Sequence, residues 1–426
     1  MVRDQKAMAS PPAALPEDIA LEILARVPDA AGLFRCAAAC RRWRTLVADP
    51  SFLRRRWPDG ARHPSSLLGF FGQEWCRRPG GEDRGDVPDS PGFVRAPGSV
   101  LGSEHPFLGS FVPGAAGIFD RAVPLASHRG LLLVRFVPAG GAGADPSADV
   151  DRLAVCNLHS GACDVLPPLE RGWFFDYVDA SAYAVVSQGP ASFKVLIVGY
   201  NNEGSQQYDI RTFSSGGEPS WSAPSKLFNP IEHGIFGPLK QRGAVVRHGT
   251  VHWLIWDLVD FHAIDVDAMT GRVSLQKLPA PRPRDMEYHL YDTPRLSVAA
   301  DETALSSLCL FREPLRVETW TRGDVCEEGD GHCGRDWCRA RVVELRPPEQ
   351  KQIDTPVCMC LGERSGTLLI KDLHRCMYIA DLESGAMEET TDKQFCRGLD
   401  GCKTAFPVEI DWPAFFKCRL GGKSGV

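Results

Sequence analysis

The sequence predicts an α+β chain in two parts: a small module of three helices at the N-terminus, then a long all-β region closed into a ring of four-stranded units. Three observations carry this. Apolar residues recur at helical spacing over the first sixty residues, and convincing long amphipathic helices are absent after them. From about residue 65 the chain changes to short apolar runs separated by glycine, proline and polar clusters. Within that region a turn pattern, Asp/Asn-x-x-Ser/Thr-Gly, recurs at Asn157–Gly161, Asp267–Gly271 and Asp381–Gly385.

Bulk properties narrow the function classes. The 426 residues exceed what one helical module needs, so at least one large core must follow. A net charge of -6 gives no sign of a nucleic-acid partner. No run of about 18 apolar residues is present, so no membrane span is expected. The N-terminus lacks an apolar signal segment. The 15 cysteines are therefore expected to stay reduced, with the protein in the cytoplasm, the nucleus or both. Most fall in apolar runs (Cys156, Cys309, Cys360), where a thiol packs as a small hydrophobe.

Residues 1–14 are small, polar and proline-bearing, and read as disordered. In the module that follows, 15–57, Pro16 pre-sets a helix start, and Glu17 and Asp18 favour the positive first turn. Ile19, Ile23, Leu24 and Val27 recur at helical spacing, and Pro28 ends the helix. A second helix carries Leu33, Cys36, Ala37 and Cys40, and Trp43 and Leu46 extend its apolar stripe. Asp49-Pro50 reads as an N-cap before a third, short helix through Phe52 and Leu53. Three such helices cannot bury all this apolar surface among themselves. Either they pack on the rest of the chain or they offer a face to another protein.

The segment resembles an F-box. That pattern runs Leu-Pro, an acidic residue, a hydrophobic helix ending in Ile-Leu-x-Arg-Leu/Val-Pro, then Leu, Cys-Lys/Arg-x-Trp-Arg and Asp-Pro-x-Phe. This chain has Leu15-Pro16, Asp18, Ile23-Leu24, Arg26-Val27-Pro28, Leu33, Cys40 to Arg44, and Asp49-Pro50-Ser51-Phe52. Ala39 departs from it, the family usually having a larger residue there. The resemblance implies docking to the Skp adaptor of a cullin-RING ubiquitin ligase. Leu15, Pro16, Ile19, Ile23, Leu24, Leu33 and Trp43 would form or support the buried face. Interfaces of this kind bury on the order of 1,600 Å², and a central tryptophan is expected to dominate the energy. Cys36 and Ala37 read as internal packing.

After a linker at 58–64, the segments SLLGFF (66–71), GLLLVRFV (130–137), FKVLIVGY (193–200), GTVHWLIWDLV (249–259) and GTLLIKDL (366–373) are strand-like in length and branching. Several are apolar on both faces, as inner strands of stacked sheets must be. In the recurring turn the Asx side chain bonds the turn backbone, and glycine accepts a positive φ. Variant units lie at 211–221 and 315–324. The five turns are spaced by about 53–61 residues, a period that fits four strands plus loops. A closed ring of such blades protects sheet edges. The region 65–415 thus reads as a β-propeller of about six blades, five or seven also fitting. SLLGFF is expected to pair with the last strands, around Thr404–Ile410, and 416–426 to form a tail. In texture the region resembles the kelch-like F-box-associated propellers of plants, though strict kelch Gly-Gly doublets are missing. Loop insertions are expected at 77–104, 138–150 and 322–337.

Little chemistry is legible. Cys326, His332, Cys333 and Cys338 are the only set resembling tetrahedral zinc ligands, but no Cys-x-x-Cys knuckle flanks them and a solvated loop reads better. No nucleophile elbow, Walker loop, dinucleotide fingerprint or His-Glu-x-x-His motif is present. Neither a catalytic residue nor a cofactor is therefore expected. His248, His252 and His262 suit a polar rim equally well, and Trp253, Trp256 and Trp320 suit core positions. The combined reading is a substrate-recognition adaptor that contacts the Skp subunit and, through it, the ligase, while the propeller captures a target protein. A carbohydrate- or small-ligand-binding propeller tethered through its F-box, a non-ligase scaffold and a propeller enzyme with acid/base residues around the central channel are the alternatives.

Overall fold

The computed structural model describes residues 15–75, 93–97, 99, 111–115, 118, 122–136, 150–170, 182–189, 192–201, 207–229, 239, 244–256, 260–279, 293–299, 302–322, 337–348, 351, 353–399 and 402–421. The chain divides into two units, one of Met1–Pro58 with Trp412–Val426, the other Asp59–Asp411.

The helical unit starts as its sequence dictates. Helix α1 (Glu17–Ala25) opens after Pro16 with two carboxylates in its first turn. Helix α2 (Ala30–Ala39) is capped by Asp29, which accepts from the Gly32 amide at 2.6 Å. The expected middle helix is in fact two. Cys40 is extended (φ -158°, ψ 162°), and its thiol accepts from the Trp43 amide at 3.4 Å, capping α3 (Arg41–Ala48). Asp49 caps α4 (Pro50–Arg56) by accepting from the Ser51 and Phe52 amides at 2.8 and 3.2 Å. The Ser51 hydroxyl, which also donates to this carboxyl, and then the amides hold it below the usual aspartate value. Arg56 then donates to the carbonyls of Ala25 (2.9 Å) and Pro28 (3.0 Å), closing the end of α1.

A further helix completes this unit. Within the tail expected at 416–426, residues 416–420 instead end a helix, α6 (Trp412–Leu420), whose residues belong with α1–α4, and 422–426 lie outside the described residues; α5 (Lys393–Leu399) lies in the β-rich unit. Trp57 stacks on Phe416 with centroids 5.7 Å apart and lies 6.4 Å from Trp412. Phe34 meets Phe415 at 5.8 Å and Phe416 at 5.9 Å. Trp412, Phe415, Phe416 and Leu420 are all buried.

The second unit is a six-bladed propeller. Blades 2 to 6 are four-stranded antiparallel sheets, and blade 1 is three-stranded. Blade 2 comprises Ala122–His128, Leu131–Phe136, Leu153–Asn157 and Cys163–Val165. Blade 3 comprises Ala182–Ser187, Phe193–Asn201, Gln207–Ser214 and Ser225–Phe228. Blade 4 runs through Val245–Arg247, Thr250–Trp256, Phe261–Asp267 and Val273–Lys277. Blade 5 holds Arg295–Val298, Leu305–Arg312, Leu315–Arg322 and Cys338–Glu344, and blade 6 Val357–Leu361, Thr367–Lys371, Met377–Asp381 and Met387–Glu389. Val150–Asp151 and Leu169–Glu170 form a separate short pair.

Blade 1 closes the ring by joining both ends of the β-region. Its central strand Leu67–Trp75 pairs antiparallel with Cys402–Glu409, placing Phe71 opposite Phe406. This is the pairing the sequence predicts. The third strand, Phe93–Arg95, falls inside the stretch 77–104 expected to be an excursion; it pairs through Phe70 and Val94. Most of the other expected insertions, 138–150 and 322–337, lies outside the described residues.

The core lies in the seams between blades, which explains strands that are apolar on both faces. In blade 3, Tyr183, Val185, Val195 and Ile197 pack toward blade 2, whereas Ala184, Val186, Leu196 and Val198 pack toward blade 4. A bulge between Cys358 and Cys360 breaks such an alternation. Cys358 enters the seam with blade 5, while Met359 and Cys360 enter the seam with blade 1.

The recurring turn sits between the third and fourth strands of blades 2, 4 and 6. Asn157 accepts from the amides of His159 (3.0 Å) and Ser160 (2.9 Å), Asp267 from Met269 (2.9 Å) and Thr270 (2.6 Å), and Asp381 from Glu383 and Ser384 (both 2.7 Å). The turn glycines have φ of +82°, +71° and +71°. Each turn also docks on the inner hairpin of its blade. The amides of Leu158, Ala268 and Leu382 donate to the carbonyls of Gly130, Gly249 and Gly366 at 2.8, 2.9 and 2.9 Å.

Two of those hairpin glycines separate backbone strain from crowding. Gly130 and Gly249 share a φ of +79°, but a Cβ on Gly130 would lie 2.2 Å from the His159 ring, whereas Gly249 has open space around it. Gly249→Ala is expected to cost about 1 kcal/mol and Gly130→Ala about 2–3 kcal/mol, read as shifts in the urea midpoint. Equal shifts would show that His159 yields freely.

Candidate docking face and channel site

On the helical unit, α1 presents an uncovered apolar stripe. Leu15, Ile19 and Ile23, four residues apart, are 37%, 46% and 42% exposed. Pro16 is exposed beside them, and the Arg42 guanidinium donates to the Leu15 carbonyl, holding the segment before the helix. Trp43 is half-buried. Leu24 and Leu33 are fully buried, so they support the stripe from beneath instead of lying on it. Cys36 is half-buried and Ala37 buried. Exposed Arg41, Arg42 and Arg44 make the neighbouring surface of α3 basic.

The propeller gathers charged groups at one end of its central channel, around a cavity of about 90 Å³. They come from inner hairpins of blades 2, 5 and 6 and from the closing strand. Arg129 and Glu302, from opposing blades 2 and 5, form an ion pair across the channel, with Nε 3.3 Å from Oε1. Burial pushes the Glu302 carboxyl up, but the Arg129 contact outweighs it and keeps Glu302 below the usual glutamate value. Buried Arg247 ties blade 4 to the same hairpin by donating to the Thr303 carbonyl at 2.6 Å. Glu409 accepts from the Arg364 and Ser365 amides at 2.9 and 2.8 Å, and the Arg364 guanidinium pairs with Asp411 at 2.9 Å.

Two further groups here are displaced by larger amounts. His128 Nδ1 accepts from the Ser187 amide at 3.1 Å, and burial with the Arg129 charge lowers the ring to about 4. It is neutral at neutral pH. Burial, then the Glu409 carboxylate, raises Glu363 to about 7. Among the described residues the Glu363 carboxyl makes no hydrogen bond. No spacing in the sequence brings 129, 302, 363 and 409 together; ring closure does.

The remaining candidates are dispersed. Cys326, His332 and Cys333 lie outside the described residues, and Cys338 is an exposed free thiol at the start of an outer strand. No group of three or more His, Cys, Asp or Glu able to hold a metal occurs among the described residues. His252 is buried, with Nδ1 2.6 Å from Asp265, itself bonded by Gln276. His248 is exposed in a hairpin turn and His262 half-buried. Trp253 is buried, Trp256 and Trp320 half-buried. No described helix is long and apolar enough to cross a membrane.

Residues 12–57 match the F-box-like family. The chain therefore carries an F-box-like domain at its N-terminus, followed by a six-bladed β-propeller. Over 48 residues it is 50% identical to the Arabidopsis thaliana protein named "Putative F-box protein At3g21120", a match spanning 11% of this chain and 13% of that relative's length. Among solved structures it is similar to a protein of unknown function from Bacteroides thetaiotaomicron, at 12% identity and a TM-score of 0.30, covering 65% of this chain and 61% of that one. A prolyl endopeptidase shares 11% identity at a TM-score of 0.36, covering 88% and 53%. Likeness at that level adds nothing to the fold already described.

Proposed function

We propose that this chain is a substrate-recognition adaptor of an SCF-type (Skp-cullin-F-box) E3 ubiquitin ligase, working in the cytoplasm, the nucleus or both. Its helical unit docks on the Skp adaptor, and its propeller captures the target protein. The observation that carries this reading is the Leu15–Ile19–Ile23 stripe, left exposed on an F-box-like domain whose other large apolar residues are mostly buried. Apolar side chains at this spacing suit a groove in a partner. The protein itself catalyses nothing. Its contribution is proximity, raising the effective concentration of the target near the conjugating enzyme. In support of that view, the Glu302 and Glu409 carboxylates are each engaged by a neighbouring arginine or backbone amide, as structural charges are.

The test is binding of purified Skp adaptor to the full chain. Ile19→Asp/Ile23→Asp, on exposed positions, is expected to weaken binding at least about 30-fold with the circular dichroism unchanged. Leu15→Ala, Pro16→Ala and Trp43→Ala are expected to abolish pulldown. Wild-type affinity in all of these folded variants would overturn the docking assignment.

A further inference from the structure

Blade 2 holds a pair of thiols with no part in docking. Cys156, in its third strand, and Cys163, in its fourth, are direct cross-strand partners. Amide-to-carbonyl bonds join Asn157 to Ala162 and Leu166 to Leu153, both at 2.9 Å. By alternation Cys156–Cys163 is then a non-hydrogen-bonded pair, where facing Cα atoms approach to about 4.5 Å. That separation lies within the range a disulfide spans. The two Sγ atoms are 3.5 Å apart.

The partners are unequal. Cys156 is fully buried, whereas Cys163 is half-buried on the outermost strand beside exposed Asp164 and Val165. Burial favours the proton on Cys156, whose thiol then donates to the Cys163 sulfur. That bond holds the Cys163 thiol below its ordinary value and, with burial, holds Cys156 above. The accessible sulfur is thus the nucleophile and the buried one the resolving thiol.

We propose that Cys156 and Cys163 form a redox modification site that hydrogen peroxide closes, reversibly, into a cross-strand disulfide. The Cys163 thiolate attacks one peroxide oxygen. An S–O bond forms as the O–O bond breaks, and the hydroxide released takes up the thiol's former proton to leave as water. The Cys156 sulfur then attacks the Cys163 sulfenic sulfur. The S–S bond forms, the S–O bond breaks, and the hydroxyl leaves with the Cys156 proton as a second water. Two thiols lose two electrons, and one peroxide becomes two waters. A dithiol reverses the step by exchange. The product staples the hairpin whose turn docks on Gly130.

The experiment treats the full-length chain with hydrogen peroxide at neutral pH, with dimedone in a parallel sample, followed by alkylation and peptide mass spectrometry. Cys156 and Cys163 are expected in one cross-link, about 2 Da lighter than the dithiol and restored by dithiothreitol. It should form at least 10-fold faster than oxidation of exposed Cys40, Cys338 or Cys418. Cys156→Ser is expected to leave Cys163 as a sulfenic acid trapped by dimedone, and Cys163→Ser to leave Cys156 unmodified. Stable sulfenic acid on wild-type Cys163 without cross-linking, or oxidation no faster than at the three exposed cysteines, would overturn the proposal.

Discussion

Replacing Phe416 with alanine is expected to cost the helical unit about 3–5 kcal/mol, the usual loss when a fully buried phenylalanine is truncated. Its ring lies 5.7 Å from Trp57, 5.9 Å from both Phe34 and Phe415, and 6.1 Å from Trp412. The neighbours also hold one another, Phe34 with Phe415 at 5.8 Å, Trp412 with Phe415 at 5.6 Å and Trp57 with Trp412 at 6.4 Å, so moving into the gap would loosen these contacts and the cavity stays open. Small domains have a total stability of roughly 5–15 kcal/mol, and one this short belongs at the low end. The variant should therefore lose most amide protection in α2–α4, measured by hydrogen exchange with mass spectrometry, while the propeller strands keep theirs. The Skp binding proposed above should fall with it, although Phe416 is not on the exposed stripe. Lys417→Ala, an exposed neighbour, should change neither. Unchanged protection in α2 on Phe416→Ala would mean that α6 is an ornament and not part of the core.

The F-box pattern and the recurring turn were legible because local chemistry fixes both. Asp49-Pro50 caps a helix wherever it occurs, and Asx with glycine four residues on closes a hairpin without tertiary help. Ring closure by Leu67–Trp75 was legible for another reason: a propeller needs a strand from each end, and few apolar runs were left to supply it. The break at Cys40 carried no proline or glycine and left no signal. Helix α6 did leave one, apolar residues at 412, 415, 416 and 420, but at that length the pattern is easily passed over after a strand. The stripe residues were identified together with Leu24 and Leu33, because periodicity places residues on a helix without saying which side other helices cover. The channel charges were illegible in principle, being set by the closure of the ring.

Those charges make the propeller's stability depend on pH in a way that one substitution should expose. Glu363 is raised from 4.5 to about 7, so between these values the folded chain keeps a proton that the unfolded chain has lost. Its contribution is complete below about pH 4.5 and is lost as pH rises through 7. His128 works in the opposite sense. Lowered from 6.5 to about 4, it stabilises the fold above pH 6.5, and that contribution is lost as pH falls toward 4. Over the shared interval the two slopes have opposite signs and similar size, so the wild-type chain should show little net change from this pair. Glu363→Gln removes one of them. Near pH 5, where Glu363 is protonated in the fold, the isosteric amide should leave stability almost unaltered. At pH 8 it should raise stability by on the order of 1–3 kcal/mol, since no carboxylate then faces Glu409 in a half-buried site. Urea midpoints of wild type and variant across pH 5 to 8 measure both effects. A difference between the two that does not grow with pH would show that Glu363 ionises as freely in the channel as in water.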